Sequence, residues 1–172
     1  MRLPLGECRL EIGPDNHGPV VGKLTIEKLF EDGTFEIVLS EQQNLITRGG
    51  LNLLLANLFR PFGGEGDPLW TGKVGVGGTT DPAGLLVKVP TQDMTDLYSP
   101  VATTSIVQVN FDSINSSLTL AAYIDQSQAN GLRITEAGFF SKSGVMFNIK
   151  TFTGIDKLNS FSLVLKWNIQ IS

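Results

Sequence analysis

Hydrophobic and polar residues alternate most cleanly near the end of the chain. Phe161, Leu163, Leu165, Trp167, Ile169 and Ile171 share one parity. Ser162, Lys166, Asn168, Gln170 and Ser172 take the other, with Val164 the only apolar exception. Side chains alternate across a strand, so this segment predicts an apolar stripe on one sheet face and a polar stripe on the other. Leu132–Phe140 and Val145–Phe152 flank Ser143-Gly144 and read as two more strands around a turn. Because the stripe reaches the penultimate residue, partner contacts are expected from arms and loops, with no enzymatic or receptor-binding module after it.

The rest of the chain extends the pattern. Residues 1–20 read as an irregular arm with Pro4, Pro14 and Pro19, in which Arg9-Leu10-Glu11-Ile12 has the alternation of a short strand. Residues 21–172 read as one domain. Lys23–Phe30 and Thr34–Ile46 flank Glu31-Asp32-Gly33, a hairpin turn signal. Leu51, Leu54, Leu55, Leu58 and Phe59 fall at helical spacing and predict one amphipathic helix over 47–60. Thr47 is its predicted N-cap and Pro61 its stop. Residues 61–72 read as a loop, 73–80 as a strand ending in a tight turn, and 85–104 as a long excursion with a helical turn at Gln92–Leu97. Val107, Val109 and Phe111 alternate, as do Leu118, Leu120, Ala122 and Ile124. The expected fold is mainly β: an antiparallel β-sandwich or barrel of about eight strands with one amphipathic helix.

Composition narrows the chemistry. The 172 residues carry a formal charge of −4, which disfavours nucleic acid as main partner because phosphate neutralisation needs clustered Lys and Arg. Cys8 is the single cysteine and His17 the single histidine, too few for a usual zinc site or an intrachain disulfide. No signal peptide and no membrane-length apolar run stand out, so a chain made in a reducing cytoplasm is expected. Gly75-Val76-Gly77-Gly78 lacks the Lys and the following helix of a phosphate-binding loop. Asp32, Asp67, Asp81, Asp112, Asp125 and Asp156 fall at predicted turns, where Asp bonds its own backbone. Glu136 shares parity with Ile134, Gly138 and Phe140, which predicts a buried carboxylate needing Arg133, Lys150 or backbone amides as partner. No catalytic constellation converges, and no enzyme, cofactor or metal is expected.

A family resemblance follows from the order of these features. Asn44-Leu45-Ile46-Thr47-Arg48-Gly49-Gly50 leads into the leucine helix, followed by Val74-Gly75-Val76-Gly77-Gly78-Thr79-Thr80-Asp81-Pro82. Ile134-Thr135-Glu136-Ala137-Gly138-Phe139-Phe140, Met146-Phe147, Phe152 and a closing strand with Trp167 complete the series. It resembles virion structural proteins of tailed bacteriophages, of the tail, collar and fibre-attachment type. One departure is Ile149, where the family pattern often has a basic residue; Lys150 is the nearest substitute. The resemblance implies a non-enzymatic building block of the virion, bound to other phage structural proteins and to copies of itself as a trimer or ring, with no nucleic acid or membrane partner. A capsid decoration protein is the alternative, and a carbohydrate-binding β-sandwich built around Trp70 and Asp67 is the second. Phe62, Leu69, Trp70, Leu97 and Tyr98 are the candidate partner contacts, on the 61–72 loop and the 85–104 excursion.

Overall fold

The computed structural model describes residues 20–58 and 66–171. Its strands are β1 (Val20–Phe30), β2 (Phe35–Gln43), β3 (Leu45–Ile46), β4 (Leu69–Gly75), β5 (Pro100–Asp112), β6 (Ser117–Ile124), β7 (Arg133–Ser141), β8 (Met146–Asp156) and β9 (Phe161–Ile171). One helix, α1, spans Arg48–Leu58. The nine strands form one antiparallel sheet in the order β2-β1-β9-β6-β5-β4-β7-β8-β3. Its first and last strands are consecutive in sequence, separated only by Asn44, so the sheet curls into a nearly closed barrel.

Long strand β5 turns the corner. Its first half pairs with β4, Thr104 opposite Gly72, and its second half pairs with β6, Val109 opposite Leu120. The register shifts between Ile106 and Gln108, a bulge that bends the strand from one half of the barrel to the other. Between the halves lies the main core. Leu24 and Ile26 of β1, Leu120 and Ile124 of β6, and Leu163, Leu165 and Trp167 of β9 meet Val74, Ile134, Phe139 and Phe147. The Phe139 and Trp167 rings meet edge to face, with centroids 5.1 Å apart. The terminal stripe is therefore core from Phe161 to Ile169. Val164 is buried too, on the opposite face.

Asn44 closes the seam. Its backbone N–H donates to the Gly22 carbonyl at 3.0 Å. With its amide oriented to satisfy its neighbours, Nδ2 donates to the same carbonyl, and Oδ1 accepts from Trp167 Nε1 at 2.9 Å and Asn148 Nδ2 at 3.0 Å. One buried side chain thus joins β1, β8 and β9. This demand on Asn44 splits the predicted strand 34–46 into β2 and β3.

Helix α1 starts as expected, with Thr47 Oγ1 accepting from the Gly50 N–H at 3.0 Å. The same hydroxyl donates to the Met146 carbonyl at 2.5 Å, so the cap also fastens the helix to β8. A Cβ at Gly50 would collide with the Phe147 carbonyl, so glycine permits this close approach.

Three expectations change. Leu69 and Trp70 lie on β4, pinned by Leu69 opposite Ser141, and not on a loop. Residues 100–104 belong to β5, because Pro100 is tolerated at a strand's first position. Gln92–Leu97 contains no helical turn; a single bend, Met94 N–H to the Thr91 carbonyl at 3.2 Å, stands in its place.

Candidate interaction surfaces

Strand β7 is buried along nearly its whole length because both faces are covered. Ile134 points into the barrel, and a register shift between Ile134 and Glu136 then reverses parity. Ala137 and Phe139 face the core, while Phe140 faces outward into a second apolar cluster with Leu97, Met146 and Ile149. The 76–99 excursion roofs this outer face. A bridge between Thr79 and Val87 folds the excursion on itself, and Thr151 Oγ1 donates to the Lys88 carbonyl at 2.7 Å.

Glu136 clamps both ends of that roof. Its fully buried carboxylate accepts from Gly77 N–H at 3.0 Å, Tyr98 N–H at 2.9 Å and Ser99 N–H at 2.8 Å. Backbone amides, among the partners expected, are the ones it uses. Arg133 pairs instead with Asp156 at 2.8 Å, and Lys150 stands opposite Ala137 on β8. Burial pushes the Lys150 ammonium below its ordinary value. Lys157 is also fully buried, and its Nζ donates to Leu158 O at 2.8 Å and Asn130 Oδ1 at 3.1 Å. Burial lowers its pKa too, while nearby Asp125 opposes that shift.

The predicted contact residues are divided among different environments. Phe62 lies outside the described residues. Trp70 is half exposed, with Lys142 Nζ 5.9 Å from its ring centroid, while Leu69 is half-buried beside it. Leu97 is buried in the second cluster and has little surface to offer a partner, a correction to its expected role. Tyr98 is 41% exposed beneath Lys88, whose Nζ sits 4.6 Å from the ring centroid. Leu97 faces in and Tyr98 out because the Glu136 clamp fixes the backbone between them. Asp67 does not bond its own turn: its carboxylate accepts from Ser143 N–H at 2.9 Å and Ser143 Oγ at 2.5 Å. Burial pushes the Asp67 carboxyl up, but the Ser143 and Ser141 hydroxyls and the Ser143 and Lys142 amides together outweigh it and leave the group below its ordinary value. Its oxygens are thus occupied beside Trp70. Asp32, Asp81, Asp112 and Asp125 do bond local amides, as expected.

One exposed apolar surface was not singled out by sequence. Val107 and Val109 are each 60% exposed, Phe111 73% and Ile114 91%. An apolar groove of about 220 Å³ adjoins them, lined by Leu53, Leu54, Leu69, Phe111 and Leu118 among others. Leu85, Leu86 and Val89 form a second exposed group, on the roof. The Val107–Phe111 alternation has the same pattern as a core stripe. Among the described residues, only its position at a sheet edge with no further partner strand distinguishes it.

Among the described residues, no group of three His, Cys, Asp or Glu is placed to hold a metal ion, and no helix is long and apolar enough to cross a membrane. Comparison with family models, with curated proteins and with solved structures finds no match.

Proposed function

We propose that this chain is a non-enzymatic structural component of a tailed-phage virion, assembling in multiple copies at the tail, neck or baseplate as an adaptor or fibre-attachment protein. The observation that carries the reading is the use made of the residues behind the resemblance. Asn44 joins three strands, Thr47 and Gly50 dock the helix, and Gly77 is held with the roof by Glu136. Trp167 fills the barrel centre. These residues hold strands and helix together, which supports reading them as the framework of a recurring building block. Exposed apolar side chains on the β5–β6 hairpin and the roof supply the kind of surface that protein partners cover.

The test is a reconstruction of the phage particle whose genome encodes this chain. Density for the barrel at the tail, neck or baseplate is the expected result. Density on the head selects a capsid decoration protein, and absence from purified particles overturns both readings.

A further inference from the structure

Every exposed sheet edge is a template for another strand, and native proteins blunt such edges with charges, prolines, bulges or cover. The two edges of the β2-β1-β9-β6-β5 half of this barrel differ in that respect. Edge strand β2 carries Glu36 and Glu41, with Lys28 bound to Glu36 at 3.2 Å, and has two register shifts against β1. Strand β5 also has a bulge, at Val107, but carries no charged residue from Val101 to Phe111. Among the described residues, its stretch Ile106–Asp112 pairs with β6 on one side and with no strand on the other.

We infer that the free edge of β5 pairs antiparallel with the same edge of a second copy of this chain, about a two-fold axis at Val109. The strand's own pattern sets the register. With Val109 opposite its counterpart, each Gln108 faces Asn110, and each Phe111 meets the bulge residue Val107 of the other copy. Val109 meets its counterpart at the axis, with Phe111 and the bulged Val107 beyond it, so aromatic and β-branched side chains gather across the new ladder. Asp112 then lies opposite Ile106, and no like charges face each other. Such an interface is isologous, one patch meeting itself.

The sidedness of the apolar row favours a second β5 over the β2 edge. Val109 pairs with Leu120 and Phe111 with Leu118, so both lie on the inner face of this half-barrel. On β2, Ile37 pairs with Glu27, whose carboxylate meets Lys166 at 2.7 Å on the outer face. Joining β5 to β2 would set an apolar inner row beside a strand whose exposed residue points the other way. A two-fold perpendicular to the sheet keeps both β5 rows on one face. The pair closes on itself, so the trimer or ring that the resemblance implies would require a second, different interface. The inference does not rest on the virion reading, since it concerns the isolated chain.

Sedimentation of the purified full chain across a concentration series tests it. Dimers or even-numbered assemblies are expected, with Val109→Lys weakening association at least tenfold while circular dichroism stays unchanged, because Val109 is exposed. In a Cys8→Ser background, Val109→Cys is expected to form an intermolecular disulfide on mild oxidation and Ile114→Cys is not. A chain that stays monomeric, an assembly indifferent to Val109→Lys, or equal cross-linking at both positions overturns the pairing. None of those results bears on where the protein sits in a particle, which the reconstruction decides separately.

Discussion

At the scale of single residues, Glu136 is a fully buried charged group that holds both ends of the roof. Each bond to an ionised acceptor contributes about 1.5–3 kcal/mol, and three amides converge on this carboxylate. Glu136→Gln keeps the shape but turns an NH2 toward backbone donors. We expect a loss of about 2–4 kcal/mol in urea unfolding. Hydrogen exchange should quicken at Gly77, Tyr98 and Ser99 while the β9 amides stay protected. Uniform quickening, or no change, would show that the clamp does not hold the roof. Periodicity alone pointed to a buried carboxylate at this position. It did not show the direction, because the bulge at Ile134–Glu136 reverses which side of β7 is inside. The aspartates support a second prediction. Hydrogen bonds to the Leu86 amide hold Asp81 below its ordinary 3.8, and the Thr34 hydroxyl does the same for Asp32. Their folded-state values lie below the unfolded ones, so the unfolded chain takes up protons first as pH falls. Their stabilisation is complete above 3.8 and is lost as pH drops through the folded values. The melting temperature should therefore fall as pH is lowered below that point. Asp81→Asn should shrink the fall, and an unaltered acid profile in that variant would remove Asp81 from the account.

At the scale of elements, α1 shows packing overruling propensity. Alanine is the better helix former, by roughly 1 kcal/mol over glycine. At Gly50, however, a Cβ would run into the Phe147 carbonyl, a backbone atom that cannot swing aside. Gly50→Ala should therefore cost about 1–3 kcal/mol, as overpacking does, despite the gain in propensity. Thermal melts of Gly50→Ala and of the exposed Asn52→Ala separate the two effects, and a stabilised Gly50→Ala would mean that the helix does not press on β8. The helix, its cap and the hairpin at Asp32-Gly33 were legible because their signals are local. The first residues of β4 and of β5 were missed. Leu69 and Trp70 follow glycines and a proline, and Pro100 and Val101 follow an irregular stretch, so what makes them strand is a partner far away in sequence: β7 for one, β4 for the other.

At the scale of the whole molecule, the barrel has, among the described residues, one edge blunted by charge and one left bare. A bare β-branched edge invites pairing, so the association behaviour of Val109→Lys reports on how the molecule is used as well as on how it folds. The same bareness predicts that conditions separating the proposed dimer expose Val107, Val109 and Phe111 together, a surface large enough to promote aggregation. Light scattering of the separated chain should show this, with Val109→Lys suppressing it; a wild-type monomer that stays clear on concentration would count against the edge as an adhesive surface.

By itself, the amino-acid sequence determined the class of the fold, the terminal core strand, the single helix with its Thr47 cap, and the burial of Glu136. Each of these follows from spacing along one segment: a period of two, a period of 3.6, or one polar residue in an apolar run. Only the tertiary structure decided the rest. It chose Asn44 as the seam, turned Leu97 inward and Tyr98 outward, and left the Val107–Phe111 stripe facing solvent when the Phe161–Ile169 stripe, written in the same alternation, became the core. The two stripes differ in the number of neighbours that flank them. Strand β9 lies between β1 and β6, whereas among the described residues the second half of β5 has β6 alone, and that difference is a property of strand order, not of any one segment.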